Sequence, residues 1–76
     1  MKALVEHIAV VLVDSPDQVK VVESENGDMI NLELTVAEED LGKVIGKQGR
    51  TARAMRSILS AAAARDNKKS RLDILE

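Results

Sequence analysis

The 76-residue chain contains no cysteine, no aromatic residue, one proline and one histidine. Without cysteine there is no disulfide framework, no thiolate metal site and no cysteine nucleophile. Without Phe, Tyr or Trp, the stacking platforms of RNA-recognition motifs and many OB folds are excluded. His7 has no second histidine or carboxylate cluster to complete a metal site and reads as an ordinary helix residue. No nucleophile–base pair is visible either, so a non-catalytic protein without metal or cofactor is expected. The apolar run Ile8–Val13 is far short of the ~20 residues that span a bilayer. Glu6 and His7 precede that run and no small-residue cleavage pattern follows, which argues against a signal peptide. A cytoplasmic protein with no membrane partner is the expectation.

What remains is 45% hydrophobic and 32% charged, the composition of a folded domain rather than a disordered tail. One domain spanning residues 1–76 is expected, with a modest core, because a chain this short buries only about 60% of its unfolded surface. The net charge is −2, but it is unevenly distributed. Residues 42–71 hold nine cations (Lys43, Lys47, Arg50, Arg53, Arg56, Arg65, Lys68, Lys69, Arg71) and one acid, Asp66, giving +8; the remainder holds two cations and twelve acids, giving −10. A local polyanion site would need such a segment, although charges also segregate along chains without function.

Leu4, Val5, Ile8, Val11 and Leu12 recur at helical spacing and predict an amphipathic helix ended by "DSP", though "IAVVLV" would also suit a buried strand. "DQVKVVES" predicts a strand, and Asn26-Gly27 a type I′ hairpin turn. In "MINLELTV", Ile30, Leu32, Leu34 and Val36 share the face expected to look inward. Thr35 and Glu38 have capping-box spacing, and Glu38, Glu39 and Asp40 suit the positive end of a helix dipole. Leu41, Val44 and Ile45 then form a short helical stripe before Gly46. From Arg50 to about Arg65 a second helix places Ala52, Met55, Ile58, Leu59, Ala62 and Ala63 on one face. "DNKKS" breaks it, and "RLDILE" predicts a last strand. The order helix–strand–strand–helix–helix–strand implies an α+β fold: an antiparallel hairpin, a parallel third strand, and three helices on one face of a mixed sheet.

"GKVIGKQGR", residues 42–50, places three glycines and three cations between the last two helices. A phosphate-loop NTPase is excluded by spacing: three residues separate Gly42 from Gly46, and Gln48 follows Lys47 where a hydroxyl residue is needed. The dinucleotide fingerprint fails too, since the spacing is wrong and no strand leads into the glycines. Gly46 and Gly49 instead permit a sharp turn whose amides approach a phosphate with no Cβ in the way. Arg50 opens a helix whose free N–H groups and dipole favour an anion. Lys47 sits at the tip, with Lys43 one turn before the loop and Arg53 beyond it. The arrangement suits gripping a nucleic-acid backbone more than reading a base.

Ile45-Gly46-Lys47-Gln48-Gly49 resembles the Ile-Gly-x-x-Gly signature of KH domains, in which a GXXG loop clamps four backbone nucleotides. The extra helix and strand before the core resemble the type II KH arrangement, αββααβ. Length and the stretch "DLGKVIGKQGRTARAMR" are similar to the small bacterial RNA-binding proteins of the KhpA family. The resemblance covers essentially the whole chain. It implies single-stranded RNA in a groove between the glycine loop, its helices and a neighbouring strand. It puts the clamp on Gly46, Lys47, Gln48 and Gly49, phosphate partners on Lys43, Arg50 and Arg53, and the groove floor on Ile45. Ala52 stands where many KH domains have a branched aliphatic residue, so a shallower groove is expected, with weak and poorly selective binding.

Gly42 within a helix costs about 1 kcal/mol relative to alanine, which points to close helix packing or an RNA contact. Ala54, Ala61 and Ala64 fall opposite the core face of their helix, a smooth surface that suits either high helix propensity or a protein interface. The resemblance implies a homodimer, pairing with a larger KhpB-type KH protein, and links to cell-envelope growth and cell shape. The expected function is a cytoplasmic RNA chaperone or post-transcriptional regulator. The alternative is a protein-interaction module in which RNA contact is secondary.

Overall fold

The computed structural model describes residues 1–75. Helix α1 spans Lys2–Leu12, strand β1 Lys20–Asn26, β2 Met29–Thr35, helix α2 Leu41–Ile45, α3 Arg50–Ala64 and strand β3 Lys69–Leu75. Single 3-10 turns occupy Pro16–Gln18, Glu38–Asp40 and Lys47–Gly49. The strands lie in the order β1-β2-β3, β1 antiparallel and β3 parallel to β2. This is the expected αββααβ arrangement, a three-stranded mixed sheet with its helices on one face.

Period-two patterning decides which face of the sheet is buried. Ile30, Leu32 and Leu34 of β2, with Val36 just beyond, point into the helices, and their neighbours Val21 and Leu72 join them. From the helices come Val5 and Ala9, then Val44, then Met55, Leu59 and Ala63. Full burial of one leucine or valine contributes about 1.5–3 kcal/mol, so this cluster is the main source of stability.

Several local readings need correction. Leu4 and Val11 lie outside the core, Val11 being 71% exposed, while Ala9 and Val13 take their place. The helix turns its Val5–Ala9–Val13 ridge to the sheet, because alanine at position 9 permits close approach. Ile58 is likewise 49% exposed, lying beside the Met55–Leu59–Ala63 ridge rather than on it. Asn26 belongs to β1 and pairs with Met29, so the hairpin loop is Gly27-Asp28. Only Gly27 has positive φ, at +65°, which is the pattern of a type II′ turn rather than type I′. Finally, Thr35 makes no capping box: it is the last ladder residue of β2, paired with Lys20 and Leu75, and the first turn after it has no side-chain cap.

The first strand also begins at Lys20, since Asp17 and Gln18 form a 3-10 turn opened by Pro16. The break after α3 is a Schellman motif. Asn67 adopts φ +59°, and the amides of Asn67 and Lys68 donate to the carbonyls of Ala64 and Ala63 at 3.0 and 2.9 Å. Asparagine tolerates that left-handed conformation.

Candidate nucleic-acid interface

The loop between α2 and α3 is shaped by three positive-φ residues, Gly46, Gln48 and Gly49. Gly46 lies at φ 78°, ψ 170°, a region essentially reserved for glycine. Gln48 is left-handed at φ 58°, ψ 26°, and Gly49 at φ 74°, ψ 13° serves as N-cap of α3. The turn uses two of the loop's amides internally: Gly46 donates to the Gly42 carbonyl at 2.8 Å, and Gly49 to the Gly46 carbonyl at 3.1 Å. The amides of Lys47 and Gln48 donate to no acceptor among the described residues. The expected four-residue cradle is therefore two open amides at the tip, held by two glycines whose own amides are engaged.

Beside the loop lies a groove of about 410 Å³, lined by Ile45, Gln48, Gly49, Ala52, Arg53, Arg56 and Ile74. Its walls come from α2, the loop, α3 and β3. Ile45, Ala52 and Ile74 supply apolar surface, and the buried Ala52 leaves room where a larger side chain would fill it.

The cations divide into two sets. Lys47, Arg50, Arg53 and Arg56 have no carboxylate within ion-pair distance among the described residues. Arg53 Nη2 donates to the Gln48 carbonyl at 2.9 Å, and Arg50 Nη2 to Gln48 Oε1 at 3.2 Å, so both guanidinium groups are folded toward the loop. Lys43 is different. Its ammonium is held by Asp14 and lies 3.6 Å from Asp40 Oδ1, and it does not line the groove. The hydrogen bond to Asp14 leads the effects that raise its pKa above the ordinary value, with burial opposing.

Asp40 is fully buried, unlike its exposed neighbours Glu38 and Glu39. Its carboxylate accepts from the amides of Asp14 at 3.2 Å and Ser15 at 3.0 Å. Burial alone would raise its pKa; the two amides and Lys43 outweigh it and hold the group below its ordinary value. Asp40 thus ties the end of α1 to the start of α2, the short helix that carries the glycine loop. Sequence reasoning read it only as part of an acidic helix start. Arg56 and Ile74 were also missed as groove residues, although Arg56 follows Arg53 by one helical turn.

Helix order, parallel third strand and the GXXG turn at the α2–α3 junction now stand together. Residues 2–74 match the family model described as KhpA/KhpB, KH domain. The chain belongs to this KH-domain family. It is 55% identical over 76 residues to "RNA-binding protein KhpA" of Halalkalibacterium halodurans, covering 100% of both chains. Over 75 residues it is 53% identical to the protein of that name in Clostridium acetobutylicum, covering 99% of this chain and 100% of the relative. Against that of Bacillus subtilis it is 43% identical, covering 100% and 94%. No solved structure gives a significant match. Among the described residues no helix is long and apolar enough to cross a membrane.

Proposed function

We propose that this KH-domain protein binds single-stranded RNA in the groove between its glycine loop and β3, as a non-catalytic RNA chaperone or post-transcriptional regulator in the cytoplasm. The observation that carries the reading is the pair of open amides at Lys47 and Gln48, beside four cations that no carboxylate neutralises. The two amides take a backbone phosphate, Gly46 and Gly49 shape the turn, and Arg50 and Arg53 add charge. Ile45 supports a base on the apolar floor. Lys43, held by two carboxylates, contributes less than the other cations. The relatives' printed name, RNA-binding protein KhpA, supports the same reading.

Replacing Lys47 and Gln48 together by Asp tests it. Both side chains are exposed, and Asp tolerates the left-handed conformation at position 48. Single-stranded RNA affinity should fall more than about tenfold with the thermal midpoint unchanged. With three or four phosphates engaged, log affinity should fall against log salt with slope about −2 to −3, from roughly −0.7 per phosphate. A flat salt response contradicts the clamp.

We also propose that α3 forms the contact of a homodimer, or of a pair with a KhpB-type partner. Ala54, Ala61 and Ala64 are exposed, and Ile58 adds apolar surface between the first two. This apolar face is what favours the second reading, a protein-interaction module. If that reading is correct, the Asp double variant loses partner binding and Ala61→Glu leaves RNA affinity low but unchanged. Under the leading reading the Asp double variant loses RNA binding and keeps its dimer; under either reading Ala61→Glu reduces the sedimenting mass to one chain.

A further inference from the structure

Arg56 stands where α3 meets β3. Its Nε and Nη2 both donate to the Leu72 carbonyl, at 3.3 and 3.2 Å. β3 is an edge strand of the sheet, with β2 as its strand neighbour. Arg56 therefore covers a main-chain acceptor on the strand that forms one wall of the groove. A guanidinium has five N–H donors and no acceptor, so after these two bonds three donors remain. The same side chain lines the groove that holds Ile45, Ala52 and Ile74. It also lines a hollow of about 290 Å³ along β3, with Ser70, Arg71, Leu72 and Asp73.

The groove is chemically varied. At the loop end are the open amides of Lys47 and Gln48, with the Arg53 guanidinium folded onto the Gln48 carbonyl; Ile45, Ala52 and Ile74 supply the apolar surface, and Arg56 sits against β3. A nucleotide with its phosphate on the loop lays its base against the apolar surface and turns its edge toward Arg56. Without Arg56, the strand wall would present the Leu72 carbonyl, an acceptor that suits an exocyclic amino group. With it, that carbonyl is occupied and the position presents guanidinium donors instead. Guanine offers two adjacent acceptors, O6 and N7, that match a guanidinium fork, whereas adenine puts an amino donor next to its N7.

Building on the RNA-binding reading, we propose that Arg56 is the specificity-determining residue of the groove: braced on the Leu72 carbonyl, it favours guanine over adenine. Selectivity then comes from a braced guanidinium, in a protein with no aromatic residue to stack a base.

The test uses the full chain and fluorescence anisotropy with uridine octamers carrying one central guanosine, adenosine or 7-deazaguanosine. The wild-type protein should bind the guanosine octamer about tenfold more tightly than the adenosine one, a gap typical of a bidentate contact. Loss of N7 in the 7-deaza analogue should remove most of the gap. In Arg56→Met the guanosine-to-adenosine ratio should fall to about one, read as a ratio so that any general loss of affinity from the missing charge cancels. Arg56→Lys, which restores donors and charge, should recover part of the ratio and keeps the question answerable if the Met variant unfolds. A wild-type ratio within twofold overturns the proposal. So does an Arg56→Met protein that keeps the ratio or loses affinity equally for all octamers, since a phosphate partner or a purely structural arginine would behave that way. Failure of the wild-type protein to bind any octamer overturns this proposal together with the RNA-binding reading. Loss of selectivity in Arg56→Met, with loss of all binding confined to the Lys47/Gln48 double variant, supports both.

Discussion

Gly46 and Thr51 stand in direct contact across the α2–α3 turn. A Cβ on Gly46 would lie 2.7 Å from the Thr51 Cβ and 2.8 Å from its backbone nitrogen, distances that real Cβ atoms do not adopt. Gly49 also has positive φ, but a Cβ there meets nothing within 4 Å. The two glycines of one motif therefore do different work. Gly49→Ala should cost about 1–2 kcal/mol, the penalty of a left-handed alanine, and leave the loop in place. Gly46→Ala should cost more, because Thr51 begins the second position of α3 and the helix start must move. Urea denaturation measures both, and RNA affinity should fall much further for Gly46→Ala.

The Asp40 carboxylate should make stability depend on acid. Its folded pKa lies below the ordinary 3.8, so the unfolded chain binds the proton more readily. The resulting stability is present above about pH 4 and is lost as pH falls through the folded value. Asp40→Asn should lower the urea midpoint at pH 7 and flatten its decline between pH 4 and 2. Lys43 and Lys68 have the opposite sign: raised above 10.5, by the hydrogen bonds to Asp14 and Glu25 first, they stabilise below that pH and lose their contribution above it.

Burial separates two aliphatic residues that look equivalent in the sequence. Leu32, fully buried at the centre of β2, should cost about 2–5 kcal/mol as Leu32→Ala, a large share of the roughly 4–11 kcal/mol expected for a chain of this size. Val11→Thr on the open side of α1 should stay within about 0.5 kcal/mol. Thermal unfolding of the two variants checks the orientation of α1 directly.

Much of this architecture is legible from residue spacing because period-two and period-3.6 patterns report one-sided burial. The alternation Ile30, Leu32, Leu34 locates the core face of β2, and Gly46 and Gly49 locate the turn. Spacing fails where two helical ridges compete. Leu4 and Val11 are as apolar as Val5, and only the sheet's position, with Ala9 permitting close approach, decides between them. It fails again for Asp40 and Arg56, whose partners lie 25 or 26 and 16 residues away in the chain. A carboxylate that receives the amides of Asp14 and Ser15, or a guanidinium that caps Leu72, leaves no local periodic trace.

The most direct test of the phosphate clamp is an amide-resolved NMR titration of the ¹⁵N-labelled protein with a short single-stranded RNA. The Lys47 and Gln48 amide protons should move strongly downfield as phosphate oxygens accept from them, while Gly46 and Gly49, already bonded to Gly42 and Gly46 carbonyls, move much less. Saturating RNA that leaves the Lys47 and Gln48 resonances in place, or shifts all four amides equally, contradicts it.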